Sequence, residues 1–126
     1  MDYQYGFEKL DVWKNARLLV VDIYRLTTKF PKEEMYCLTS QIKRAVVSIV
    51  SNVAESTSRT SLKEQVRFTE ISYGSAMEVY CQLTIALDLK YINEADFQEM
   101  NAKIKIITKL LNALKNSQVK RLNNVG

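Results

Sequence analysis

Gln41-Ile42-Lys43-Arg44-Ala45-Val46-Val47-Ser48-Ile49-Val50-Ser51-Asn52-Val53-Ala54-Glu55 is the stretch with the clearest structural signature. At about 100° per residue, Gln41, Arg44, Ser48, Asn52 and Glu55 fall within one helical arc of roughly 80°. Ile42, Ala45, Val46, Val47, Ile49, Val50, Val53 and Ala54 cover about 200° of the same cylinder. A surface helix needs an apolar stripe of only about 100°. The stretch therefore predicts a helix buried on two sides, against a bundle core and against a second packing surface.

Upstream, a helix is expected over about 8–29. It stops at Phe30-Pro31, because the residue before a proline is pushed out of the helical region. The second helix is expected over about 33–55, with a possible restart near Thr39-Ser40 capped by either hydroxyl. Residues 56–61 are polar and read as a connector. Ser61-Leu62-Lys63-Glu64 has capping-box spacing and opens a third helix over about 61–90. Asn93 is a good N-cap for a fourth, over about 94–116, and the polar tail 117–126 is expected to fray. Short connectors favour antiparallel neighbours. The fold class is therefore all-α: one domain, an up-down-up-down four-helix bundle.

The first and third helices add to the burial argument. Leu18, Leu19, Val20, Val21, Ile23, Tyr24 and Leu26 leave the first with little solvated face. The third carries Phe68, Tyr73, Met77, Val79, Tyr80, Leu83 and Leu87. A monomeric bundle rarely exposes that much apolar surface, so self-association is expected.

The chain has 126 residues, one proline and three glycines, which suits a few long elements in one domain. No run of about 18 uncharged apolar residues exists, so no membrane span is expected. Met1-Asp2-Tyr3-Gln4-Tyr5 lacks the basic region and apolar core of a signal peptide, which makes a soluble cytoplasmic protein the default. The net charge of +4 and pI near 9.1 are compatible with a polyanionic partner without demanding one. Cys37 and Cys81 read as small buried hydrophobes rather than a redox pair.

There is no histidine, which removes the commonest general base and metal ligand. No zinc spacing, phosphate loop, nucleophile elbow or carboxylate cluster for a divalent ion is present, so no catalytic, cofactor or metal residue is assigned and an enzyme is not expected. The polar stripe of the second helix reads either as a solvated face or as an interhelical network. Antiparallel pairing about a turn at Ser58–Arg59 sets Glu55 level with Glu64, Asn52 with Arg67 and Arg44 with Ser75 to Glu78. An Arg44–Glu78 ion pair is then expected within a structural network of Gln41, Arg44, Ser48, Asn52, Glu55, Ser75 and Glu78, fixing register. Trp13, Tyr24 and Tyr73 are expected in the core, while Tyr3, Tyr5 and Phe7 are candidates for packing across a subunit boundary.

Several of these residues form a recognisable set. They are Phe7-x-x-Leu10-x-Val12-Trp13-x-x-Ala16, Phe30-Pro31-x-x-Glu34-x-Tyr36-x-Leu38, Gln41-x-x-Arg44-Ala45-x-x-Ser48-Ile49-x-x-Asn52-Val53-Ala54-Glu55, Phe68, and Gly74-Ser75-x-x-Glu78-x-x-x-Gln82-Leu83. In this order, over about residues 7–115, the set resembles the four-helix bundle proteins encoded in intervening sequences of bacterial 23S ribosomal RNA (the S23 family), which includes accessory proteins of diversity-generating retroelements. The departure is Ser56, where the family usually has glycine. A serine in a left-handed helix end costs something like 1 kcal/mol, so either that turn is strained or the helix runs further.

The resemblance implies a non-enzymatic protein assembled as a homopentamer, linked to RNA or DNA and, in retroelement members, to a reverse transcriptase. It implies no cofactor. Candidate nucleic-acid contacts are Lys14, Arg17, Arg25 and Lys29 in the first helix and Lys103, Lys105, Lys109 and Lys115 in the fourth. Helix-dipole complementation accounts for the basic end of the fourth helix by itself. Repeated around a ring, however, such a patch becomes a basic belt whose phosphate contacts add up. The alternative is a protein–protein scaffold with no nucleic-acid role.

Overall fold

The computed structural model describes residues 4–125. Met1, Asp2, Tyr3 and Gly126 lie outside them, as do the packing role suggested for Tyr3 and the start of the stretch read for a leader. Four helices carry the fold: α1 (Asp11–Leu26), α2 (Leu38–Ser58), α3 (Leu62–Asp88) and α4 (Glu94–Val125).

The helix ends differ from the sequence expectation for local reasons. Ahead of α1, Gly6–Lys9 form a 3-10 turn closed by the Glu8 side chain on the Tyr5 N–H, and Leu10 is extended. A second 3-10 turn, Thr27–Lys29, tightens the exit before Phe30-Pro31. Lys32–Glu34 form a third, and Cys37 at φ −121°, ψ −106° breaks the chain out of helix. α2 therefore begins at Leu38 rather than near residue 33. Its opening N–H is met by the Glu34 carboxylate at 3.4 Å, not by Thr39 or Ser40. Ser61 caps α3 by accepting from the Glu64 N–H at 3.4 Å. Asn93 caps α4, accepting from the Asp96 N–H at 2.8 Å.

α3 ends in a Schellman motif: the Lys90 N–H donates to the Leu87 carbonyl and the Tyr91 N–H to the Ala86 carbonyl. Lys90 sits there at φ 63°, where glycine is the usual residue. The fourth helix does not fray at residue 117. It continues to Val125 with Gln118 fully buried.

Cross-helix contacts give the topology. Ser48 meets Ser75 and Ser56 meets Thr69, so α2 and α3 are antiparallel. Asp22 meets Lys103 and Lys29 meets Asp96, so α1 and α4 are antiparallel. Thr69 meets Gln118 and Tyr80 meets Phe97, so α3 and α4 are antiparallel. These three relations give the up-down-up-down bundle. α1 packs on α2 and α4, and α3 on the same two helices, so α1 and α3 occupy opposite corners.

The core runs down the middle through Leu19, Ile23, Ile42, Ile49, Leu83, Ile104, Ile107 and Leu111. Each such side chain contributes roughly 1.5–3 kcal/mol of burial. The apolar residues do not all go inward. Leu18 is 64% exposed and Val21 50%, and Tyr24, Val47, Met77, Tyr80 and Ile85 are also on the surface. The second buried side expected for α2 reduces within one chain to a partly exposed Val47 and Val50. Trp13 and Tyr73 pack on the core as expected, whereas Tyr24 lies outside it under the Lys43 ammonium. Tyr5 and Phe7 stack at 5.9 Å, and Phe7 leans on Trp13. Both cysteines are exposed, against expectation: Cys37 lies in the turn before α2 and Cys81 on the outside of α3. Among the described residues no helix is long and apolar enough to cross a membrane.

Candidate groove and basic faces

The polar residues of α2 follow its inner seam with α3, where small side chains let the helices approach. Ser48 and Ser75 hydroxyls are 2.8 Å apart, and the Asn52 amide donates to the Ser48 hydroxyl and carbonyl. The Ser72 hydroxyl donates to the Ile49 carbonyl at 2.8 Å. This hydroxyl contact is the part of the expected network that forms. The Arg44–Glu78 ion pair does not: no nitrogen–oxygen approach within 4 Å joins them, and both are exposed. The Ser48–Ser75 and Ser72–Ile49 contacts set Arg44 level with Glu78, so the two helices are in register for the pair and the side chains still do not meet. Glu55 pairs instead with Arg59 at 2.9 Å, and Arg67 with Glu64 at 3.6 Å.

What Arg44 and Glu78 share is an open groove of about 330 Å³ between α2 and α3. Gln41, Arg44, Ala45 and Ser48 line one wall, and Ser75, Glu78 and Gln82 the other. Among the described residues the side chains of Gln41, Arg44, Glu78 and Gln82 have no hydrogen-bond or ion-pair partner. Gln82 is only 9% exposed, and its Oε1 is buried without one. An unpaired buried amide oxygen costs of order 1–3 kcal/mol, a cost that water or another polar group entering the open groove would relieve. Gly74, on the outer ridge of α3, lines a separate cavity of about 370 Å³ toward α4 with Tyr73, Leu111, Asn112 and Lys115. It costs roughly 1 kcal/mol in a helix interior relative to alanine, its φ is not positive, and an added Cβ would meet nothing within 4 Å.

A polar cluster that sequence reasoning missed sits at the far end of the seam. The Gln118 amide donates to Ser56 Oγ at 2.8 Å, Ser56 Oγ lies 2.8 Å from Thr69 Oγ1, and Thr69 donates to Gln118 Oε1 at 2.7 Å. All three are buried. The Gln65 carbonyl offers both hydroxyls a further acceptor. Ser56 thus marks no strained turn: it is helical and joins α2, α3 and α4. The only sequence signal was a serine where glycine was expected.

The basic candidates divide. Lys29 is held by Asp96 at 2.7 Å, Lys103 by Asp22 at 2.7 Å and Glu99, and Lys115 by Glu70 at 3.0 Å. Hydrogen bonding from Lys29 lowers the Asp96 carboxyl against a smaller opposing effect of burial, and the Asn93 N–H lowers it further. The bond to Asp22 raises the Lys103 ammonium more than partial burial lowers it. Arg17 lies over the Trp13 ring at 5.4 Å. Lys14, Arg25, Lys105 and Lys109 are exposed and have no ion-pair partner among the described residues. Lys105 and Lys109 share an outward face of α4 with Asn112, Asn116 and Lys120, on the side turned away from the buried Ile104, Ile107 and Leu111. Among the described residues no three of His, Cys, Asp and Glu converge as a metal site.

Nothing matches among curated proteins. A crystal structure of a protein with unknown function from the S23 ribosomal protein family of Bacteroides thetaiotaomicron VPI-5482 superimposes with a TM-score of 0.74. It is 21% identical, and the match covers 82% of this chain and 97% of that one. The family model for the 23S rRNA-intervening sequence protein matches residues 8–113. That span holds α1 to α3, all seven residues lining the groove and most of α4, and so the chain belongs to the 23S rRNA-intervening sequence protein family.

Proposed function

We propose that this chain is a non-enzymatic, homo-oligomeric nucleic-acid-binding protein of the rRNA-associated type. The observation that carries the reading is the outer face of α4. Lys105, Lys109 and Lys120 project there with Asn112 and Asn116, and no acid follows Met100 in the sequence. Free ammonium groups with amides between them suit phosphate contacts that carry little sequence information. The exposed apolar residues of α1 and α3 support the self-association, which multiplies a three-lysine contact by the number of copies.

The test is a salt titration of binding to a structured RNA and to a duplex DNA, followed by fluorescence anisotropy. Wild-type affinity should fall steeply with salt. Lys105→Glu with Lys109→Glu should weaken binding at least tenfold and flatten the salt slope by about two per bound protomer. Lys63→Glu, on the exposed start of α3, should leave both unchanged. Absence of binding to either probe at low salt refutes the reading.

A further inference from the structure

We infer that copies of this chain join head to tail, the outer face of α1 on one copy seating on the outer ridge of α3 on the next. This rests on the self-association proposed above and names the surfaces that make it. Because α1 and α3 stand at opposite corners of the bundle, their outward faces point away from each other, and one copy can use both at once.

The two faces match in polarity. On α1, Leu18 and Val21 stand exposed between Lys14, Arg17 and Arg25. The one acid between residues 14 and 28 is Asp22, which is turned aside onto Lys103. On α3, Met77, Cys81 and Ile85 stand exposed beside Glu78 and Asp88. Residues 71–88 contain no base, and neither Glu78 nor Asp88 has an ion-pair partner among the described residues. A basic rim around an apolar centre thus faces an acidic rim around an apolar centre.

The spans match as well. At 1.5 Å per residue, Lys14 and Arg25 are about 16 Å apart along α1, and Glu78 and Asp88 about 15 Å along α3. The bracketing charges can therefore meet while the apolar residues between them close on each other. Gly74 now has a purpose. Nothing inside its own chain needs a bare backbone there, but a second helix laid on the ridge approaches closely where a side chain is missing. Glu78, one turn further along α3 at the edge of the α2–α3 groove, joins the same contact, which accounts for a carboxylate left unpaired next to Arg44.

Contact between two different faces is heterologous: it closes into a ring if the rotation allows and otherwise grows open-ended. It also assigns Lys14, Arg17 and Arg25 to assembly, leaving the α4 lysines for polyanions.

Cross-linking tests the contact directly, because Cys81 already lies on the ridge. In a Cys37→Ser background, Val21→Cys puts one thiol on each face. Mild oxidation should then give a disulfide ladder beyond the dimer, while Cys37→Ser alone should stay uncross-linked. Sedimentation velocity supplies the second arm. With the two helices antiparallel across the contact, Arg25 meets Glu78 and Lys14 meets Asp88. Glu78→Arg and Arg25→Glu should each weaken association about tenfold, and the two together in one chain should restore it, since that pair re-forms with its charges exchanged. Cross-linking through Cys81 alone would mean a two-fold contact across α3 and overturn the inference. So would an oligomer that gives no ladder with Val21→Cys, or a double exchange that fails to restore assembly. In those cases self-association stands; a strictly monomeric protein removes both.

Discussion

Replacing Gln118 by alanine should cost about 3 kcal/mol. The amide makes two buried hydrogen bonds, to Ser56 and from Thr69, each worth roughly 1 kcal/mol net. Gln118 is 1% exposed, so truncation also empties space between three helices, adding about 1 kcal/mol or more. The gain in helix propensity offsets only a few tenths. For a chain of this size the sum corresponds to a drop in Tm of about 10 °C, read by thermal and urea denaturation followed by circular dichroism. Gln118→Met separates the contributions. It keeps the volume, and Ser56 and Thr69 still have each other and the Gln65 carbonyl, so its cost should be about 1–2 kcal/mol. A loss below about 0.5 kcal/mol for Gln118→Ala would refute the anchoring of the C-terminal turns by this amide.

Arg44→Ala should change stability by no more than about 0.5 kcal/mol, because the Arg44 side chain has no hydrogen-bond or ion-pair partner among the described residues; a loss above 2 kcal/mol in denaturant titration would show that it pairs with Glu78 after all. The α1–α4 edge should respond to pH at both extremes. Asp96 titrates below its ordinary value of 3.8, so its contribution is complete above the carboxylate range and disappears as pH falls through the lowered folded value. Lys103 titrates above its ordinary 10.5, so its contribution is complete below that and is lost as pH rises through the raised folded value. Each pair is surface-exposed and worth about 0.2–1 kcal/mol; Asp96→Asn should flatten the acid limb alone, and an unchanged limb would contradict the assignment.

Periodicity was enough for the four helices and most of the core, since the buried apolar positions of α2, which packs on α1 and α3, fall on one arc. Helix ends were less legible. The start of α2 depends on a 3-10 turn and on Cys37 leaving helical space, which spacing alone does not encode. Register was legible to within a turn, since Arg44 and Glu78 do come level across one groove, but whether two long side chains close on each other there is not encoded in spacing. Gln118 was unreadable because a polar residue in a polar tail gives no sign of burial until its partners, 49 and 62 residues away, are in place. Of the basic residues, sequence gave the population but not which cations were already neutralised. The exposed cysteines were misread because both have apolar neighbours in sequence, which says nothing about which side of a helix they occupy.

The two edges of the bundle are fastened by different chemistry. Between α2 and α3 the fastening is hydroxyl to hydroxyl and hydroxyl to carbonyl, uncharged throughout, with the Ser56–Thr69 and Ser72–Ile49 contacts buried and only Ser48–Ser75 at the open groove. Between α1 and α4 the polar fastening is two ion pairs at the solvent boundary, joining residues 67 and 81 positions apart. Salt screens the second kind and barely touches the first. Amide hydrogens in α1 should therefore exchange by partial opening while those of the central hairpin wait for global unfolding, with the gap between them widening as ionic strength rises.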